Sequence, residues 1–208
     1  MTSYAVPNVG TMSSTGLTDS QMSVVWQNIV LPCLGITPSG PTDSTAYSQV
    51  RLDWPQPGAP AWPITSDIAF IRAVVVPDSY NAAHEVQPNT IAGVTYLEAT
   101  IYTRVWQLSF IFYGPNSFDR ARQVQACLYQ DFVHDILAAS NIYLDTVIGT
   151  PRRSPELFQN QWWPRSDFAA RMNEQVTDTL TKQTIQSVEL VLEDASGIFD
   201  EIDLPVTL

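Results

Sequence analysis

The 208-residue chain predicts an α+β fold: a mixed, largely antiparallel sheet with two helices packed on one face. Two segments, 18–32 and 114–141, place apolar residues at helical spacing. Several others alternate with period two, the longest being 94–114. The order of elements is helix, two strands, a long strand or hairpin, helix, then three strands, which indicates segregated helices on a sheet. The sheet face away from the helices is left to solvent or to a neighbouring subunit.

Residues 1–16 are rich in Ser, Thr, Gly and Asn without periodicity and read as a flexible N-terminal arm. In "TDSQMSVVWQNIVLP" the cap-type Thr18 and Asp19 precede Met22, Val25, Trp26 and Ile29, and Pro32 stops the helix. Residues 36–47 have loop composition, 47–54 alternate as a strand, and the prolyl run 55–63 cannot lie in a central strand. A second strand is expected at 66–77, followed by a polar loop through 78–90. Within 94–114, Trp106, Leu108, Phe110 and Phe112 share one face, opposite Val105, Gln107, Ser109 and Ile111. Residues 114–141 read as one helix with Ser117 as N-cap and an apolar stripe of Phe118, Ala121, Leu128, Phe132 and Ile136. Strands follow at 142–149 and 183–194, and Phe168, Ala170, Met172 and Val176 alternate with polar neighbours between them. The expected organisation is therefore an arm at 1–16, a single domain at 17–194 and an acidic C-terminal tail at 195–208.

Composition narrows the function. Twenty-one acids against ten bases give a net charge of −11, which opposes non-specific nucleic-acid binding driven by phosphate neutralisation. The bases are nine arginines and Lys182 alone, a bias toward the side chain preferred at protein interfaces. No run reaches the roughly 20 apolar residues of a membrane helix, and the N-terminus has no secretory pattern, so the expectation is a chain that folds in the cytoplasm. Cys33 and Cys127 stand alone among apolar neighbours and read as small buried hydrophobes, neither metal knuckle nor disulfide framework.

Candidate chemistry is sparse. "GPNS" at 114–117 precedes a helix but lacks the glycine spacing and the Lys-Ser/Thr of a phosphate loop. His84 and His134 have no ligating partner at i+3 or i+4, and no GxSxG nucleophile turn occurs. Carboxylate pairs are too numerous to single out a glycosidase centre. No catalytic, cofactor-binding or metal residue is assigned.

The segment "RRSPELFQNQWWPRSDFAAR" (152–171) is different. In an extended chain Trp162 and Trp163 face opposite sides, so one can enter the core while the other stays on a surface. Exposed aromatics beside arginines have the composition of interface hot spots. Arg152, Arg153, Leu157, Phe158, Trp162, Trp163 and Arg165 are therefore the candidate subunit or partner interface.

Three stretches carry a resemblance: 50–81 with "RLDW", 103–128 with "FYGPNSFD", and 140–177 with "PELFQNQWWPRSDF". In order and wording they resemble the neck or tail terminator family of tailed bacteriophages, across about residues 49–194. The resemblance implies a tail-terminator-like virion structural protein with no catalytic motif to carry over. It implies a homohexameric ring that caps the tail tube, ends tube polymerisation and joins the tail to the head-side connector or head-closure protein. Genomic DNA would pass through as cargo, and no membrane or cofactor is involved. For such a channel the acids Glu189, Glu193 and Asp194 are candidate lining residues, since acidic walls repel phosphate. The alternatives are another tail tube, head-closure or baseplate component, a virion-associated cell-wall hydrolase, or a monomeric peptide-binding module.

Overall fold

The computed structural model describes residues 11–40, 43–52, 62–79, 83–92, 95–158, 160–183, 187–194 and 197–205, with residues 88–92, 95–96 and 183 onward described by backbone alone. The fold is α+β with a large, mostly antiparallel sheet, as the sequence predicts; among the described residues four helices accompany it, where the sequence suggests two. The described residues fall into two compact units, a larger one within 16–83 and 102–176 and a smaller one within 1–15, 84–101 and 177–208.

The larger unit opens with α1 (Asp19–Cys33). Thr18 and Gln21 form a capping box: the Gln21 amide donates to the Thr18 hydroxyl, and the Thr18 amide donates to Gln21 Oε1 at 2.9 Å. Met22, Trp26, Ile29, Val30 and Cys33 are buried along one stripe. Pro32 lies inside the last turn, and the stop comes later, at Gly35 with φ +72°. Gly35 N donates to Pro32 O and Ile36 N to Leu31 O, both at 2.9 Å, which closes the helix in a Schellman motif.

A short helix, α2 (Ser44–Gln49), takes the end of the expected 36–47 loop and the first residues of the expected 47–54 strand, of which Val50–Leu52 is a strand and 53–54 lie outside the described residues. Asp43 causes it, because its Oδ1 accepts from the amides of Thr45 and Ala46 at 3.1 Å. A strand of the smaller unit, β1 (Met12–Ser14), comes before α1, and Val50–Leu52 is β2. It pairs in parallel with β3 (Ile68–Val75). Next to β3 runs the larger unit's part of β5 (Thr95–Tyr113), antiparallel, with Ile68 opposite Tyr113 and Val75 opposite Trp106.

The expected single helix at 114–141 is two. α3 (Ser117–Cys127) and α4 (Asp131–Ala138) are separated by Leu128–Gln130, and Gln130 takes an extended conformation to restart the second. The interruption changes the phase of the stripe: Val133 and Leu137 are buried, while Phe132 is exposed. Asn116, not Ser117, occupies the N-cap, and the Asp67 carboxylate accepts from Asn116 N at 3.0 Å and Nδ2 at 2.8 Å. Capping is thus delegated to a residue 49 positions away, which no local pattern reveals.

β6 (Ile142–Ile148) and β7 (Arg152–Arg153) lie along β10 (Arg165–Gln183), both antiparallel to it. The sheet of this unit runs β2-β3-β5-β10. Alternation on these strands sends Ala69, Ile71, Trp106, Leu108, Phe110, Phe112, Phe168, Ala170 and Met172 into one core with the four helices. Phe168 stacks on Phe110 with ring centroids 4.8 Å apart. Each fully buried Ile, Leu, Phe or Met among them contributes about 1.5–3 kcal/mol.

Two further features tie this unit together. Cys33 and Cys127, expected as isolated thiols, form a disulfide with Cα atoms 5.5 Å apart. The ends of α1 and α3 meet in the core, and 94 residues of separation hide that meeting from the sequence. Glu174, 1% exposed, accepts from Arg104 Nε at 2.7 Å, Arg104 Nη2 at 2.8 Å, Trp106 Nε1 at 2.8 Å and Leu17 N at 3.1 Å. Burial alone would raise its carboxyl, but the bonds from Arg104 and Trp106 hold it below the usual carboxylate range.

In the smaller unit β1 is antiparallel to the end of β10, with Met12 opposite Leu180. β4 (His84–Ala92) pairs with β5 and occupies a stretch whose composition suggests a polar loop. Lys182 Nζ pairs with Glu98 at 2.7 Å. β11 (Ser187–Asp194) and β12 (Gly197–Pro205) form a two-stranded sheet of their own, with a bulge between Leu192 and Glu193.

Candidate functional site

The segment 152–165 is built from two short pieces. Arg152 and Arg153 form β7, opposite Asp167 and Ser166 of β10. Pro155 ends that pairing, and the chain turns into a hairpin of β8 (Glu156–Phe158) and β9 (Gln161–Trp163). Its turn includes Asn160 at φ +61°, a left-handed conformation that asparagine tolerates.

The hairpin register sets Glu156 opposite Trp163, Leu157 opposite Trp162 and Phe158 opposite Gln161. Alternation therefore divides the tryptophans as an extended chain requires. Trp163 is 8% exposed and joins a core cluster with Trp62, Ile68, Phe70 and Tyr113, against which Phe158 packs. It meets Trp62 edge-on at 6.1 Å and Phe158 at 5.9 Å. Trp162 is 65% exposed, and Leu157 beside it is 51% exposed.

A polar network fixes the hairpin from beneath. Tyr113 donates its hydroxyl to Glu156 Oε2 at 2.5 Å, and Arg165 Nη1 donates to the same oxygen at 2.8 Å. Arg165 also forks onto Asp167, with Nε to Oδ1 and Nη2 to Oδ2 both at 2.8 Å. Burial and the bond to Glu156 push the Tyr113 hydroxyl upward, so it stays a donor. Burial would lower Arg165, but its bonds to Asp167 and Glu156 raise it, so the guanidinium stays charged.

Of the seven candidate interface residues, Leu157, Trp162, Arg152 and Arg153 present exposed surface, whereas Trp163, Phe158 and Arg165 form the support. The arginine pair is divided by strand alternation. Arg153 lies over the Phe118 ring at 4.7 Å and, with Pro115, Pro155, Trp162 and Pro164, lines a groove of about 380 Å³. Arg152 lines a different groove, shared with Arg72 and Ser109. The backbone of Glu189, Glu193 and Asp194 lies in β11, and their side chains are outside the described residues. Glu156, Asp167 and Tyr113 are parts of the site that residue-by-residue reading missed. The Arg165–Asp167 spacing, which puts both on one side of a strand, was the available signal for one of them.

Among the described residues, no group of three or more His, Cys, Asp or Glu is arranged to hold a metal, and no helix is long and apolar enough to cross a membrane. What the larger unit presents outward is an anchored aromatic hairpin flanked by arginines, the composition of a surface that meets other proteins. The class that this belongs to is the structural proteins of phage tails and necks, because a family model described as phage neck terminator protein matches residues 23–200. The chain belongs to that phage neck terminator family, which is a family of virion structural proteins and not a known enzyme family. No curated protein matches the chain.

Proposed function

We propose that this neck protein acts as a terminator by assembling into a ring, a homohexamer, at the head-proximal end of the tail. The ring caps the tail tube, ends its polymerisation and offers a surface to the head-side connector, while DNA passes through. Assembly takes place in the host cytoplasm before the particle is complete. The observation that carries this reading is the outer face of the β8–β9 hairpin. Trp162, 65% exposed, stands on a support of buried aromatics and charge-assisted bonds. A large apolar side chain presented to water on a fixed strand is the kind of residue that serves as an interface hot spot, because the backbone that carries it has little ordering entropy left to lose. Head-to-tail contacts between copies close into a ring when the rotation per subunit is right. The chain's charge of −11 suits a passage from which phosphate must not be retained, with Glu189, Glu193 and Asp194 as candidate wall residues.

Electron microscopy of the purified protein together with light scattering tests the proposal. Closed rings of one size support it. A monomer that persists at high concentration, with the protein missing from the necks of finished particles, overturns it.

A further inference from the structure

We propose that the helix-free face of the larger unit's sheet receives the β11–β12 ribbon of a second copy of this chain. The inference rests on the ring-forming reading above and identifies one contact through which copies join.

The receiving face is set by alternation. On β3, β5 and β10 the residues opposite the helix-packed ones include Arg72, Ser109, Arg165, Asp167 and Ala169. They line a groove of about 560 Å³ together with Arg152. Small residues (Ser109, Gly149, Thr150 and Ala169) border it, which leaves room for a strand to approach. Arg165 is committed to Glu156 and Asp167. Arg72 and Arg152 are exposed and form no ion pair among the described residues. Two uncompensated guanidiniums on one groove of a chain with charge −11 call for an anionic occupant.

The chain carries the complement. Beyond Lys182 there is no base, but there are six acids: Glu189, Glu193, Asp194, Asp200, Glu201 and Asp203. The register sets Glu189 opposite Asp203 and Val191 opposite Glu201, so positions 189, 201 and 203 share one face of the ribbon. Like charges directly opposite are destabilising, and a two-stranded ribbon alone is marginal in water. Such a ribbon is stabilised by a cationic surface, and arginine takes carboxylates in bidentate pairs. Successive acids on one strand face stand about 7 Å apart, a spacing that two separate arginines can meet. This contact takes Glu189 to the neighbouring copy rather than to the channel, and leaves Glu193 and Asp194, beyond the bulge, as the wall candidates. DNA is the weaker occupant, because Asp167 lies in the same groove and the chain as a whole repels phosphate.

The test uses two charge-reversed full-length chains, each checked for native circular dichroism. One carries Arg72→Glu with Arg152→Glu, the other Glu189→Lys with Asp203→Lys. Each alone should need at least a tenfold higher concentration to assemble, and an equimolar mixture should recover wild-type assembly as alternating rings. The neutral pair Glu189→Gln with Asp203→Asn should give a smaller loss, and it serves as the readout if the lysine chain misfolds. Assembly of each reversed chain at wild-type concentrations overturns the inference while leaving the ring itself intact. Rescue only when all four changes sit in one chain, with none in the mixture, means a chain docking on itself and also overturns it. So does a short DNA duplex that binds wild type and not the Arg72→Glu, Arg152→Glu chain. If wild type never assembles, the ring-forming reading fails first and the ribbon contact fails with it.

Discussion

Replacing the two adjacent tryptophans one at a time should give two different failures. Trp163 is 8% exposed and packs edge-on against Trp62 and Phe158, so Trp163→Ala removes an aromatic from a filled core. Truncations of this kind cost about 3–5 kcal/mol. With a urea dependence of about 2–3 kcal/mol per molar, the unfolding midpoint should fall by about 1–2.5 M. Trp162 is 65% exposed, so Trp162→Ala should change folding stability by no more than about 0.5 kcal/mol. As a hot spot it should weaken assembly by about 2 kcal/mol or more, roughly thirtyfold in concentration. Urea unfolding of dilute monomer followed by circular dichroism measures the first quantity, and sedimentation across a concentration series measures the second. Equal losses of midpoint for the two variants would refute the two-faced hairpin. A Trp162→Ala chain that assembles at wild-type concentrations would refute the interface.

Three further outcomes are expected. Glu174 has its carboxyl held down in the fold, so its contribution is complete above the unfolded value near ~4.3 and is lost as pH falls through the lower folded value. Calorimetry should accordingly show a steeper acid loss in wild type than in Glu174→Gln, which at neutral pH should be weaker by about 3 kcal/mol; parallel pH profiles would disprove it. Reduction of the Cys33–Cys127 bond, or Cys127→Ser, should cost about 2–5 kcal/mol for so long a closed loop, and an unchanged melting temperature with two titratable thiols would contradict that. Gly114→Ala should destabilise by about 1–3 kcal/mol, because φ is +108° and an added Cβ would stand 2.6 Å from the Ser66 carbonyl oxygen. Native-like stability of that variant in thermal melts would show that the turn can relax.

The sequence disclosed what short-range periodicity governs. α1 was legible from Thr18 onward, and the buried face of β5 was legible because Trp106, Leu108, Phe110 and Phe112 keep strict alternation over a long strand. The opposite burial of Trp162 and Trp163 followed from the same geometry. What stayed hidden depends on partners distant in the chain. α2 forms because one aspartate captures two amides, an arrangement that outweighs the alternation at 47–49, while 50–52 remain a strand. The break between α3 and α4 has no glycine or proline to announce it, and a stripe drawn straight through it picks Phe132 where Val133 is the buried residue. Asp67 capping Asn116, Glu174 gathering Arg104 and Trp106, and the cysteine bond all join positions 49 to 94 residues apart. Side-chain alternation also divided Arg152 from Arg153, two neighbours that composition treats as one basic spot.

The Cys33–Cys127 bond has a consequence for the chain as a string rather than as a fold. A protease that severs any one peptide bond between these residues produces no loose fragments while the bond lasts. The molecule would run whole on a non-reducing gel and separate into two bands once thiol is added. Cuts before residue 33 or after residue 127 have no such covalent tether, so a single one would already give two bands on the non-reducing gel.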